Sequence, residues 1–152
     1  MALPPDDHVD EANKSGTSFE KLIGLQVPGD ITQNQLNAMA PLSLAYIGDA
    51  VFELYVRSRL LIPAKRIRDY HQQVVGQVKA EQQSCYADIL LPHLNEAEQN
   101  ILRRGRNATT GRNRRAKGAD YQKATGLEAL IGFLYLSDPA RLMTLLNQLE
   151  IS

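Results

Sequence analysis

Apolar residues recur every three or four positions through most of the chain, the spacing that places them on one face of an α-helix. The clearest run begins at Pro41 and stops before Pro63, because proline is tolerated in the first turn of a helix and disrupts a later one. A shorter helix or turn is expected over residues 32–39. No segment alternates apolar and polar residues over several positions, so the pattern predicts an all-α fold.

Further helices are predicted after Pro63, and capping residues mark the start of two of them. Asn95 is a good N-cap with Glu98 three residues later, and Asp138 can cap a helix that has Pro139 in its first position. The polar, glycine-containing stretch 105–118 is predicted to be a loop. The predicted helices cover residues 64–72, 74–91, 95–104 and 121–136, and the last helix starts at Asp138.

Residues 1–30 differ from the remainder of the chain in composition. They contain six acidic residues and only two lysines, and they show little apolar periodicity. Such a segment cannot bury enough apolar surface to fold alone. We therefore expect an acidic, largely disordered N-terminal tail over residues 1–30 and a single helical domain over residues 31–152.

Composition argues against several classes of protein. The single cysteine, Cys85, cannot form an intramolecular disulfide or a cysteine zinc cluster, which fits a reducing compartment. We expect it to pack within its helix. The longest apolar stretch, residues 129–136, is far shorter than the about 20 residues of a membrane-spanning helix, and the N-terminus has no secretory signal. We expect a cytoplasmic protein that does not enter membranes.

Charge is balanced over the whole chain, with 17 basic and 17 acidic residues, but it is unevenly distributed. Residues 103–123 hold eight basic residues and one acid, Asp120. The arginine fork suits phosphate oxygens, and no aromatic residue stands between these arginines to stack on bases. The segment therefore predicts recognition of double-stranded RNA by its phosphates and shape, with a solvated charged loop as the alternative. The candidate RNA-binding residues are Arg103, Arg104, Arg106, Asn107, Arg112, Arg114, Arg115, Lys117 and Lys123.

Two carboxylates stand in unusually apolar surroundings. Asp49 directly follows Gly48 inside the apolar run 41–56, and Glu128 is the only acid of the most apolar predicted helix. A carboxylate buried without a partner is costly, so it would pair, bind a cation or stay protonated. The alternative is that both lie on exposed polar stripes, with Gly48 and Gly132 serving helix packing alone.

A pair of carboxylates supplies only oxygen ligands, which suit Mg²⁺ or Mn²⁺ better than Zn²⁺. Such a cation can activate water and stabilise charge on a phosphodiester. Asp49 and Glu128 are therefore candidate metal ligands and catalytic residues, although their spacing in the sequence does not establish that they meet. Glu53 lies one helical turn after Asp49, and we interpret it as a surface partner of Arg57 rather than as a third ligand.

Three segments form a recognisable set: Leu-Ala-Tyr-Ile-Gly-Asp-Ala-Val-Phe-Glu over 44–53, Arg-Gly-Arg-Asn-Ala over 104–108 and Leu-Glu-Ala-Leu-Ile-Gly-Phe-Leu-Tyr over 127–135. They resemble the catalytic domain of the ribonuclease III family, and most closely its small Mini-ribonuclease III branch. Their order and spacing make the resemblance specific, and it covers residues 40–150. Asp49 matches the aspartate of the family's Gly-Asp motif, and Glu128 matches the glutamate of its second catalytic helix.

The resemblance implies an all-helical, homodimeric endoribonuclease that cuts double-stranded RNA with magnesium. It further implies a role in maturation of the ribosomal RNA precursor of the large subunit. The Mini branch lacks an appended double-stranded RNA-binding domain, and we expect none here, because the sequence ends at Ser152. Full-length family members carry three further acids, whose positions are occupied here by Leu42, Ala45 and Thr125, as the resemblance to the Mini branch implies.

Two other functions are compatible with the same residues. The loss of three acids is compatible with a catalytically silent RNA-binding or ribosome-assembly factor that uses the basic segment. A purely structural helical dimerisation module would leave the arginines of residues 103–123 unexplained. The leading interpretation is a magnesium-dependent endoribonuclease that hydrolyses phosphodiester bonds in double-stranded or structured RNA, with Mn²⁺ as a substitute cation.

Overall fold

The computed structural model describes residues 31–109 and 111–152, and for residues 111–117 it describes the backbone only. This part of the chain is helical and contains no strand, which confirms the predicted all-α class. A short 3₁₀ turn at Leu91–His93 links two of the helices. The helices are α1 Gln33–Ala38, α2 Pro41–Leu60, α3 Ile67–Val78, α4 Ala80–Leu90, α5 Glu96–Asn107, α6 Gly111–Ser137 and α7 Pro139–Leu146.

The predicted caps are in place. The Asn95 side chain accepts a hydrogen bond from the Glu98 backbone amide at 2.8 Å, and the Glu98 carboxylate accepts one from the Asn95 amide at 3.0 Å. Asp138 caps α7 by accepting from the Arg141 amide at 3.1 Å, with Pro139 in the first position. These bonds satisfy amide groups that a helix start leaves unpaired.

Helix α6 lies at the centre of the fold, because α2, α4 and α5 all pack on it. The apolar side chains on one side of α6 are fully buried, and so are several of α2. Leu127, Leu130 and Ile131 of α6 and Phe52 and Val56 of α2 are each at most 1% exposed. The hydrophobic core thus surrounds the helix that carries Glu128.

A buried ion pair fixes α7 to α5. Glu98 is 2% exposed, and both of its carboxylate oxygens accept hydrogen bonds from the Arg141 guanidinium, at 2.9 and 3.0 Å. Arg141 also donates to the His93 carbonyl at 2.7 Å. The guanidinium outweighs burial and lowers the pKa of Glu98. Removal of Arg141 would leave a buried carboxylate without compensation.

The predicted break between the second and third helices is wrong. It was placed between residues 72 and 74, whereas α3 continues to Val78 and α4 begins at Ala80. The break falls at Lys79, whose backbone is extended with φ −63° and ψ 153°. Neither glycine nor proline marks this position, and Gly76 stays inside the helix.

The predicted loop over residues 105–118 is also wrong. Helix α5 continues through Asn107, and the backbone is helical again from Gly111. Gly105 stays helical because it packs against α6, so its small size serves a helix contact rather than a turn. Within α6 the regular backbone is interrupted at Gly118, where φ is 73° and ψ is −176°. Positive φ is a conformation that glycine adopts at little cost.

Two other expectations concern surface position. Cys85 is exposed rather than packed. Among the described residues, no helix combines the length and the apolar character that crossing a lipid bilayer requires. The expected acidic tail over residues 1–30 lies outside the described residues.

Candidate active site

Helices α2 and α6 touch backbone to backbone. A β-carbon built on Gly48 would lie 1.8 Å from the carbonyl oxygen of Glu128, and one built on Gly132 would lie 1.9 Å from the carbonyl oxygen of Leu44. No side chain fits at either glycine. The crossing brings Asp49, the residue after Gly48, beside Glu128.

A second close crossing joins α5 to the same stretch of α6. A β-carbon on Gly105 would lie 2.7 Å from the Ala129 β-carbon, and one on Gly126 would lie 2.6 Å from the Leu102 carbonyl oxygen. Glu128 is therefore flanked along α6 by two glycine contacts, one with α5 and one with α2. These contacts fix the backbone that carries the carboxylate.

The two carboxylates share one cleft. Its volume is about 320 Å³, and it opens between α2, α4 and α6. The predicted pair therefore meets in space, which the spacing in the sequence left open. Besides Asp49 and Glu128, the cleft is lined by Gln83, Thr125, Tyr46 and Tyr121, among others.

The electrostatics of the cleft oppose two ionised carboxylates. Burial first, and then the charge of Asp49, raise the pKa of Glu128 to about 7, while a hydrogen bond from the Gln83 amide acts in the opposite direction. Asp49 is more exposed, and burial together with the charge of Glu53 raises its pKa as well. A bound cation would relieve both the repulsion and the lost hydration.

The donor set fits a hard cation that keeps part of its water. Among the described residues, no group of three or more His, Cys, Asp or Glu is placed to hold a metal ion. The protein would then contribute Asp49 and Glu128 alone. Mg²⁺ is commonly bound by one or two carboxylates, with waters and substrate phosphates as its other ligands. The open cleft leaves room for such ligands.

The three positions where the resemblance leads one to expect further acids all line this cleft. Leu42 is half exposed there, and Ala45 is buried. Thr125 donates its hydroxyl hydrogen to the Tyr121 carbonyl of its own helix at 3.0 Å. The side chains at these positions therefore add no negative charge to the pair.

Glu53 behaves as the sequence predicted. Its carboxylate accepts a hydrogen bond from the Arg57 guanidinium at 2.5 Å, one turn along α2. It does not line the cleft, and its connection to the site is the charge that it places near Asp49. The interpretation as a surface pair is confirmed.

The candidate RNA-binding residues fall into two groups. Arg103, Arg104, Arg106 and Asn107 lie in the last two turns of α5, and Lys123 lies in α6. The other candidates are on a helical backbone, but their side chains lie outside the described residues. Those candidates are Arg112, Arg114, Arg115 and Lys117.

A second cleft, of about 220 Å³, gathers part of the first group. Arg103, Arg106 and Lys123 line it, together with Asp88 of α4. The ammonium of Lys123 contacts both Asp88 carboxylate oxygens, at 2.7 and 2.8 Å, so part of the positive charge is neutralised within the protein. No pattern in the sequence predicts this pair, whose members are 35 residues apart.

Sequence reasoning missed Gln83. It is 2% exposed, lines the carboxylate cleft together with Glu128 and lowers the pKa of that carboxyl by hydrogen bonding. In the sequence it stands in a polar stretch of a predicted helix, and glutamine in such a stretch ordinarily faces solvent. No motif distinguishes it from Gln82 beside it.

Comparison with known proteins agrees with this geometry. The profile of the Ribonuclease III domain matches residues 42–139. The chain is 52% identical to the Mini-ribonuclease 3 of a Synechocystis species, over 76% of this chain and 81% of that protein. It is 54% identical to the Mini-ribonuclease 3 of a Synechococcus species, over 75% and 83% of the two chains.

A more distant relative and a solved structure extend the likeness. The Mini-ribonuclease 3 of Thermosynechococcus vestitus is 45% identical over 86% of this chain and 84% of that protein. A crystal structure of a Fusobacterium nucleatum protein superposes with a TM-score of 0.66 at 30% identity, covering 72% of this chain and 91% of that one. The chain belongs to the ribonuclease III family, within its Mini-ribonuclease 3 branch, and is an endoribonuclease.

Proposed function

We propose that the protein hydrolyses phosphodiester bonds of double-stranded RNA with Mg²⁺ held by Asp49 and Glu128. The observation that carries the proposal is the backbone contact between Gly48 and Glu128, which brings the two carboxylates into one cleft of about 320 Å³. Two carboxylates that repel each other in a partly buried site are a favourable environment for a hard cation.

The cation would supply an activated water and would stabilise negative charge on the phosphate. The chain's own part is to fix the two carboxylates. Gly48 and Gly132 allow the α2 and α6 backbones to touch. The buried side chains of α6 keep the backbone of Glu128 in place. The cleft opens to solvent beside Asp49, so that an RNA backbone can approach without unfolding of the protein.

The substrate class follows from the basic residues. Arg103 and Arg106 are exposed near the end of α5, and the run continues through Arg112, Arg114 and Arg115. An arginine-rich surface without interleaved aromatic residues favours contacts to the phosphates of a duplex over stacking on single strands. The resemblance to the Mini branch supports the ribosomal RNA precursor as the duplex-containing substrate, and with it a role in the cytoplasm.

We also infer that the active form is a homodimer. Tyr46 is 85% exposed and Leu42 is 51% exposed, one helical turn apart on α2 and at the rim of the cleft. Apolar side chains exposed in this way are typical of a surface that another subunit covers. A two-fold axis near this rim would bury both residues of each subunit.

A catalytically silent RNA-binding factor is the second candidate. The observation in its favour is that Leu42, Ala45 and Thr125 remove three acids from the cleft. Such a protein would bind the same duplex through the same arginines. It would leave the pairing of Asp49 with Glu128 without a purpose.

One experiment separates the two candidates. We would incubate a labelled RNA duplex with wild type, Asp49→Asn, Glu128→Gln and the control Glu53→Gln, each with Mg²⁺, Mn²⁺ or EDTA. Cleavage by wild type in Mg²⁺, its loss in the first two variants and its survival in Glu53→Gln support the proposal. A mobility shift without cleavage in any metal supports the silent factor. Circular dichroism checks that each variant is folded.

A further inference from the structure

We propose that Gln83 is a positioning residue that holds the Glu128 carboxylate in its place in the cleft. Gln83 lies in α4, a helix that carries neither of the two carboxylates, and is 2% exposed. Its side chain lines the same cleft as Asp49 and Glu128. The inference rests on the proposed metal site.

The amide nitrogen of Gln83 has two hydrogens. It donates one to the Val78 carbonyl, at the end of α3, with a distance of 2.8 Å. The Val78 carbonyl therefore fixes the orientation of the amide group and leaves the second hydrogen for the cleft that Glu128 also lines. Hydrogen bonding from this side chain lowers the pKa of Glu128, against the effect of burial. Hydrogen bonds of this kind orient the carboxylates that bind metals.

The oxygen of the same amide has no hydrogen-bond partner among the described residues, although it is buried. A buried carbonyl oxygen without a donor destabilises a fold. Rotating the amide by 180° would not help, because its oxygen would then face the carbonyl oxygen of Val78. The fold thus retains an unpaired acceptor on a side chain that lines the same cleft as Glu128.

A second glutamine shows what a purely structural role looks like. The Gln99 amide donates to the Leu94 carbonyl at 3.0 Å, five residues earlier, just as Gln83 donates to Val78. Gln99 lines the other cleft, which contains neither Asp49 nor Glu128. Replacing each glutamine by methionine removes the same kind of bond, although Gln99 is exposed and Gln83 is buried. Gln99→Met therefore controls for the loss of the hydrogen bond.

The test measures Mn²⁺ binding by electron paramagnetic resonance in the absence of RNA. We expect Gln83→Met to bind Mn²⁺ about 10- to 100-fold more weakly than wild type, the usual effect of losing a partner of a metal-binding carboxylate. Gln99→Met should stay within about twofold of wild type, since it leaves Glu128 untouched. The thermal midpoint of Gln83→Met without metal checks its fold, because methionine removes the unpaired oxygen but also the bond to the Val78 carbonyl.

Two contrary outcomes have different meanings. If wild type binds Mn²⁺ and Gln83→Met binds it equally well, the positioning role is wrong and the proposed site stands. If wild type binds no Mn²⁺, the proposed site itself fails, and the inference fails with it. A defect of Gln83→Met in RNA cleavage that disappears at high Mn²⁺ would support positioning, since a damaged fold would not recover.

A spectroscopic measurement keeps the inference testable if Gln83→Met does not fold. In wild type, the side-chain amide resonances of Gln83 should shift when Mg²⁺ is added, while those of Gln99 should not. The shift should be lost in Glu128→Gln. Resonances of Gln83 that do not respond to a Mg²⁺ concentration that supports cleavage would overturn the proposal.

Discussion

Gly48 packs directly on the backbone of Glu128, and a β-carbon at position 48 would lie 1.8 Å from the Glu128 carbonyl oxygen. The contact joins the two helices that carry the proposed metal ligands. Because Gly48 has no side chain, the two backbones approach closely enough to bring Asp49 beside Glu128. Any residue larger than glycine at position 48 must push α2 away from α6.

We therefore predict that Gly48→Ala destabilises the fold and abolishes cleavage. Inserting a methyl group into a packed contact costs typically 1–3 kcal/mol, and here the obstacle is backbone that cannot rotate away, so we expect about 3 kcal/mol or more. Urea unfolding followed by circular dichroism measures the change. The control is Gly76→Ala in α3, where a β-carbon meets nothing within 4 Å. That variant should be as stable as wild type or more stable by up to about 1 kcal/mol. Equal stability of the two variants would contradict the close crossing.

Local signals in the sequence predicted most helix starts. Pro41, Asn95 and Asp138 lie at or next to the starts that were expected, because proline and capping side chains act within a single turn. Gly105 misled the prediction, since a glycine used for helix contact and a glycine used for a turn look alike in sequence. Only the position of Ala129 on the facing helix distinguishes them.

The candidate site was predictable in part. Asp49 and Glu128 were marked by their apolar neighbours and by a family resemblance. Their meeting depends on the crossing of two helices about 80 residues apart in sequence, which no local pattern encodes. Gln83 was not predictable, because its burial results from the packing of α4 and not from its own neighbours. Unpaired buried polar atoms become visible only when the fold is known.

The raised pKa of Glu128 predicts how stability depends on pH without metal. Between about pH 4.5 and 7 the unfolded chain ionises this carboxyl while the folded protein keeps it protonated. Stability should therefore fall as pH rises through this window, by an amount on the order of 3 kcal/mol, and should level off above it. Urea unfolding at several pH values in EDTA measures the fall.

Glu128→Gln is the control for this pH dependence. It should lose most of the fall, because glutamine does not titrate, and it should be more stable than wild type at pH 8. Addition of Mg²⁺ should raise the stability of wild type at pH 8 and leave that of Glu128→Gln unchanged, since the cation binds the ionised carboxylate. A wild-type protein whose stability is constant from pH 4.5 to 7 would show that Glu128 ionises normally.

The exposed rim of α2 gives a prediction about assembly. Tyr46→Asp should convert the proposed homodimer into a folded monomer, because an aspartate at a two-fold interface faces a second copy of itself. Sedimentation velocity measures the mass. Ile67→Asp is the control, since Ile67 is 78% exposed but lies on α3, away from the cleft. A Tyr46→Asp protein that sediments as wild type would place the interface elsewhere.

The last prediction concerns the arginines between α5 and Gly118. Replacing Arg112, Arg114 and Arg115 with alanine should weaken binding of an RNA duplex and flatten its dependence on salt. Each phosphate contact that is lost removes a released counterion, so the slope of log affinity against log salt should fall by up to about 3. Binding is measured from about 50 to 200 mM salt, the range over which phosphate contacts have a large effect. The preference among duplex sequences should change little, because phosphate contacts carry no base identity.

Two comparisons decide what these arginines do. Arg66→Ala with Arg68→Ala removes positive charge at the start of α3, outside the basic segment 103–123, and should leave the salt slope nearly unchanged. Single-turnover cleavage by the triple variant at saturating protein should keep the wild-type rate, because Asp49 and Glu128 remain in place. An unchanged slope would mean that the three arginines are only solvated. If the triple variant binds RNA normally but its single-turnover rate at saturating protein is much lower, the arginines act at the reacting phosphate. A residue that only positions the duplex affects affinity and not the rate once RNA is bound.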